Sequence, residues 1–362
     1  MPNASTSSST RTPVDPRSAW AERASAARDR SVPPRSDDLV PPPRFGATRF
    51  EAYRIAHPSQ AAARDRVRVC VAGVASPPPS RRSRWRSLAP WRRRRPEVGS
   101  GLYLDGGFGV GKTHLLAAAW HAAPLPTDRK RYLSFQDLVH RVGVLGRDGA
   151  REAFAGTRLL CLDEFELDDP GNTLIIATFL ANLFEAGATV LTTSNTPPDR
   201  QGEGRFAADD FRREILGIAD RFEAIRIDGP DHRAGTRRAR WSSDEAIDRA
   251  LRSGPEPVLA TDGADLARTL ASLHPARYAR LLQPAGTLAI QRLRPIEGAN
   301  EALRFVHFVD KAYDLGVRLR VRGEAPLEAT FDPSYASGAW SKKYDRCLSR
   351  LSEMLQEPLH AP

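Results

Sequence analysis

The chain has 362 residues, 41% of them hydrophobic, with 29 prolines and a net charge of +10; that length suits about two domains. Three scattered cysteines, Cys70, Cys161 and Cys347, argue against a disulfide framework or a zinc site and fit reduced thiols in a cytoplasm. No apolar run approaches the eighteen or so residues of a transmembrane helix, and the start lacks a signal-peptide core.

Residues 1–43, with "NASTSSSTRTPVDP" and "SVPPRSDDLVPPP", hold few large apolar side chains. Burial there cannot offset the entropy of ordering, so a disordered tail is expected. Residues 44–99 form an entry segment, with a helix expected over about 59–71 and Ser59, behind a proline, as its cap. "SRRSRWRSLAPWRRRRP" then packs eight arginines and no acid into Ser80–Pro96, which accounts for most of the +10. Arginines attract anionic headgroups by about 1 kcal/mol each near the surface, and Trp85 and Trp91 suit the headgroup region. Arg81–Arg95 therefore predicts peripheral contact with an anionic membrane. Nucleic acid, through phosphate contacts and stacking on the indoles, and a solvated linker are the competing readings.

From residue 100 to 230, short apolar runs alternate with amphipathic stretches. The runs are 102–106, 131–135, 158–164, 188–195 and 222–228, and helices are expected over 112–122, 136–145, 172–186 and 209–218. This alternation predicts a parallel sheet covered by helices on both faces. Residues 231–362 read as a smaller, mainly helical lid, with helices over 244–252, 263–274, 301–315 and 342–355 and one strand-like insert, "GTLAIQRLRPI".

The chemistry concentrates at "GGFGVGKT". Gly106, Gly107, Phe108, Gly109, Val110, Gly111, Lys112 and Thr113 match G-x-x-x-x-G-K-[ST] between a strand and a helix. Such a turn aims successive backbone N–H groups at phosphate oxygens, and the helix start adds positive potential. Lys112 then reaches the β- and γ-phosphates of ATP, and the Thr113 hydroxyl ligates Mg²⁺. "LLCLDE" sets Asp163 to hold the metal through water and Glu164 to orient or deprotonate the attacking water. Asn195, closing "TTSN", is set to hydrogen-bond that water or the γ-phosphate, as in AAA+ ATPases. That layout calls next for an arginine supplied across a subunit boundary, hence for a homo-oligomer. Arg205, in a glycine-flanked loop, is the choice over Arg212 and Arg213.

With "LDEFE", "TTSNTPPD", "ALRFVHFVDKAYDLGVRL" and "KKYDRCLSRLSEM" added to the glycine turn, the chain resembles the ZapE-type ATPases from about Pro42 to Leu355. These are AAA+ proteins of bacterial cell division with mitochondrial relatives. The resemblance implies a cytoplasmic ATPase at the division ring, near the inner face of the membrane, with the tubulin-like ring polymer as partner. It places Lys112, Thr113, Asp163, Glu164 and Asn195 on the family's nucleotide site and Arg205 on its loop arginine, although "AADD" is extra just downstream. It also implies a γ-phosphate-sensing arginine on the lid: Arg304, with Arg346 and Arg350 as rivals. The other class considered is a DNA-associated ATPase of the helicase-loader or transposition-helper type, which leaves "RFVHFVD" and "SRLSEM" unexplained.

Overall fold

A computed structural model describes residues 15–29, 39–75, 99, 101–167, 170–201, 212–230, 240–255, 257–283, 285–337 and 341–359. The Arg81–Arg95 insert and Arg205 lie outside these residues. The chain divides into two compact units, one built from 32–237 and 334–349, the other from 1–31, 238–333 and 350–362.

The first unit is a five-stranded parallel sheet. Its strands are β1 (Gly101–Gly106), β2 (Lys130–Ser134), β3 (Leu159–Asp163), β4 (Thr189–Ser194) and β5 (Phe222–Ile227), in the spatial order β2-β3-β4-β1-β5. β1 and β3 are buried along their whole length, as parallel strands covered on both faces should be. Alternate residues of β3 feed opposite cores. Leu159 and Cys161 pack with Val67 and Val71 of α2 (Pro58–Gly73) and Leu115 and Leu116 of α3 (Lys112–Ala122). Leu160 and Leu162 pack with Leu138 and Val142 of α4 (Phe135–Ala153), Ile176 and Leu180 of α5 (Pro170–Glu185), and Ile215 and Ile218 of α6 (Arg212–Ala219). The alternation expected over 100–230 is the one observed.

Three local features go beyond or differ from these expectations. The cap of α2 is His57, not Ser59: the His57 ring accepts from Ser59 N–H at 3.3 Å, and the Gln60 side chain accepts from His57 N–H at 2.9 Å. Lys130 is buried at the start of edge strand β2, where its ammonium donates to the Trp120 carbonyl at 2.9 Å and lies 4.3 Å from the Trp120 ring centre. It satisfies an orphan carbonyl at the end of α3. The backbone of the same edge is used by the end of the expected tail, since Tyr132 N–H donates to the Leu39 carbonyl at 2.8 Å and Leu39 is buried in the core, so the reading of 1–43 as disordered is corrected there.

In the second unit, helical residues outnumber strand residues, as expected, but the helices are organised on a parallel sheet. Its strands are β6 (Val258–Asp262), β7 (Thr287–Leu293) and β8 (Arg318–Gly323), in that order. Only β7 was anticipated. β6 is five residues long, and β8 reads "RLRVRG", apolar only at alternate positions. That alternation is a strand pattern, and it was passed over in the reading of 231–362 as a mainly helical lid. The helices are α7 (Asp244–Ser253), α8 (Gly263–Ser272), α9 (Tyr278–Leu282) and α10 (Ala299–Asp314). The reading of 1–43 as a disordered tail is corrected at Pro16–Arg28, which form α1 against β6 and α9. Trp20, Ala24 and Ala27 recur every three or four residues and are buried on one side. Arg277 then donates to the Ala27 carbonyl at 3.1 Å at the end of that helix. One tryptophan and two alanines carry little hydrophobic signal in sequence, yet they give this helix a face to bury. The last helix, α11 (Ser341–Gln356), has residues up to 349 in the first unit and those from 350 in the second.

Candidate functional site

β1 ends at Gly106 and α3 starts at Lys112, so the glycine turn occupies the carboxyl edge of the sheet, where ligands of open α/β sheets bind. Gly111 caps the helix in the left-handed region, with φ 89°. A Cβ there would approach the Tyr53 ring to 2.5 Å. Tyr53 supports the turn from below by donating to the Val110 carbonyl at 2.7 Å, and burial raises its phenol to about 12. Gly107 is exposed, and a Cβ on it would meet nothing within 4 Å, so its backbone faces open space. Phe108 and Gly109 are half-buried beside it.

Lys112 is buried and curls back over this turn. Its ammonium donates to Gly106 O at 2.8 Å, Gly107 O at 2.6 Å and Asn195 Oδ1 at 2.8 Å. The structure thus brings together the lysine of the first strand–helix junction and the asparagine that follows β4. The Thr113 hydroxyl donates to Asp163 at 3.3 Å. A hydroxyl and a carboxylate converging beside a phosphate cradle form an oxygen-only donor set that suits a hard divalent cation such as magnesium.

Two residues that the sequence reading passed over complete the surroundings of Asp163. Thr193 donates to Oδ1, and Tyr132 donates to Oδ2 at 3.2 Å. Glu164, directly after β3, has φ 57°, a left-handed conformation that a side chain adopts at a cost of about 1–3 kcal/mol. Its N–H donates to Thr193 Oγ1 at 3.0 Å. Thr193 thus serves both acidic residues. A hydroxyl run at the end of a buried strand, "TTS", was the available signal, because apolar cover on both faces leaves such groups no water to bond.

The candidate arginines divide between the two units. Arg346 on α11 is buried, and its Nη2 lies 3.3 Å from Glu164 Oε2. One turn earlier on that helix, Lys343 pairs with Glu166 at 3.3 Å. Arg304 belongs to the other unit, where Nη1 donates to the Leu270 and Leu273 carbonyls, both at 2.7 Å, at the end of α8. Arg350 pairs with Asp310 and lies 5.0 Å from the Tyr313 ring centre. Arg213 is exposed.

Over residues 40–254 and 239–361 the chain matches the AFG1-like ATPase family. It belongs to that family. Cell division protein ZapE of Escherichia coli K12 is 30% identical over 301 residues, 71% of this chain and 78% of that protein. Lactation elevated protein 1 homolog B of Danio rerio is 24% identical over 300 residues, 67% of this chain and 59% of that one. Among solved structures, domain III of the Thermotoga maritima replication initiation protein DnaA aligns with a TM-score of 0.38 at 14% identity, over 66% of this chain and 87% of that one. As an AFG1-like ATPase, the chain is an ATP-using enzyme. The resemblance expected from "LDEFE" and "SRLSEM" holds. Among the described residues, no helix is long and apolar enough to cross a membrane.

Proposed function

We propose that this AFG1-like ATPase hydrolyses magnesium-bound ATP and uses the cycle to regulate the bacterial division ring at the inner membrane surface. The convergence of Lys112, Thr113, Asp163, Glu164 and Asn195 at neighbouring strand ends carries the chemical part of this reading. The likeness to ZapE supports the cellular part.

The N–H groups of 106–113 receive the phosphates, and Lys112 exchanges its Gly106 and Gly107 carbonyl partners for β- and γ-phosphate oxygens. Thr113 and Asp163 would hold magnesium. When bound, magnesium draws charge from the phosphate oxygens. Glu164 orients the attacking water and takes its proton, and Asn195 hydrogen-bonds that water or the γ-phosphate. Arg205 of a second subunit stabilises the charge on the transferring group. Arg346, beside Glu164, is a better candidate than Arg304 for the arginine that senses the γ-phosphate. The Arg81–Arg95 insert docks on anionic lipid, and the tubulin-like ring polymer is the partner.

Purified full-length protein tests this reading. Lys112→Ala should lose labelled ATP, whereas Glu164→Gln should retain it and turn it over at least about a hundredfold more slowly. Wild type should co-pellet with ring-polymer filaments when ATP is present. Turnover stimulated by single-stranded DNA, without co-pelleting, would replace the division reading with the helicase-loader class. Equal nucleotide retention by Lys112→Ala would remove the site itself.

A further inference from the structure

Gln201 follows the turn after Asn195 and is 6% exposed, with no part in the roles above. Its Oε1 accepts from Leu167 N–H at 2.9 Å. Its Nε2 lies 2.6 Å from the Tyr103 hydroxyl, 3.0 Å from Ser194 Oγ, and 3.2 Å from both the Phe165 and Thr196 carbonyls. Leu167 N–H can only donate and the two carbonyls can only accept, so these partners fix which way the amide points. Tyr103 passes its own proton on to the Thr196 carbonyl at 2.7 Å, and Thr196 N–H donates to Ser194 Oγ at 3.1 Å.

The positions of these contacts along the chain matter. Phe165 directly follows Glu164, and Ser194 and Thr196 flank Asn195. One buried amide therefore ties the segment after β3 to the turn after β4, and both to Tyr103 on β1. We infer that Gln201 is a positioning residue for hydrolysis. It sets the separation of the Glu164 carboxylate and the Asn195 amide, so that both reach the same water at the terminal phosphate. It touches neither nucleotide nor water itself. A displacement of about 1 Å in such a pair lowers turnover on the order of a hundredfold without weakening the grip on the phosphates, which depends on the glycine turn and Lys112.

The inference rests on the roles assigned to Glu164 and Asn195 above. Two variants of the full chain test it: Gln201→Met, similar in volume with no donor, and Gln201→Glu, which turns an oxygen toward the Phe165 and Thr196 carbonyls. Each is measured for kcat with Mg-ATP and for ATP affinity, alone and combined with Asn195→Ala. The expected result is a kcat loss of about tenfold or more with ATP affinity within about threefold of wild type. In the Asn195→Ala background that loss should shrink to about twofold or less, because residues that act as a unit are not additive. A loss that persists undiminished there, unchanged kcat in both single variants, or loss of ATP binding in both would overturn the inference. Intact turnover in Asn195→Ala would instead reject the assignment of Asn195. A loss in Asn195→Ala with none in either Gln201 variant would reject the present inference alone.

Discussion

His114, one residue past Thr113, shows how the nucleotide turn is tied to its surroundings. Its ring is tilted against Tyr53 at 5.5 Å between centroids, and Nε2 lies 2.9 Å from the Arg49 carbonyl, which a neutral ring can reach with an Nε2 proton. Burial disfavours the charged form and lowers its pKa, outweighing the carbonyl bond, which raises it. Because the folded value lies below the unfolded one, the contribution to stability is fully present above about pH 6.5 and is lost as pH falls toward the folded value. Denaturant titrations of the full chain should show stability falling between pH 7 and pH 5. His114→Gln, which keeps a donor for Arg49 and cannot titrate, should flatten that fall. An identical pH profile in the variant would remove His114 as its cause. The position of His114 inside the P-loop helix was plain from the motif. Its partners Tyr53 and Arg49 lie more than sixty residues away in the chain and gave no local sign.

At the scale of elements, α1 and the strands of the second unit depend on one another. α1 has an aspartate cap, with Asp15 accepting from Ser18 N–H at 3.0 Å, and a proline in its first turn. Isolated helices of this length are marginal in water, so packing must supply the stability. Trp20 is 5% exposed, and truncating a buried tryptophan costs about 3–5 kcal/mol. Trp20→Ala should therefore lower the calorimetric unfolding temperature of the unit that contains β6 and α9. A disordered tail would give no change. In the first unit the elements were legible because each run of residues declares itself through glycine, lysine and a repeating apolar pattern. β6 and β8 are as long as the strands of the first unit, and the alternation in "RLRVRG" is itself a strand pattern, but each lies beside a helical stretch and was passed over in the reading of a helical lid.

For the whole molecule, the nucleotide site draws on distant segments of one compact unit: the turn after β1, the ends of β3 and β4, and the first half of α11. If Arg205 completes the site of a second copy, turnover per molecule must depend on association. Specific activity should rise with protein concentration and level off once sizing in ATP shows that subunits have joined, while Arg205→Ala should stay near the dilute value. Activity independent of concentration over the same range would mean that no arginine is donated in trans.

The phosphate-binding turn, the acidic pair and the strand–helix alternation were written in the sequence by itself, because each rests on neighbouring residues and on a backbone geometry that few residue types allow. The partners of those groups were decided only by the tertiary structure. β4 lies between β1 and β3 although it comes last of the three, which brings Asn195 to Lys112 and Thr193 to Asp163. The return of α11 to this unit puts Arg346 beside Glu164, while Arg304, the arginine chosen from the sequence, closes the end of α8. Spacing along a chain specifies local conformation. Which side chains meet across a sheet follows from strand order and packing, which no single stretch contains.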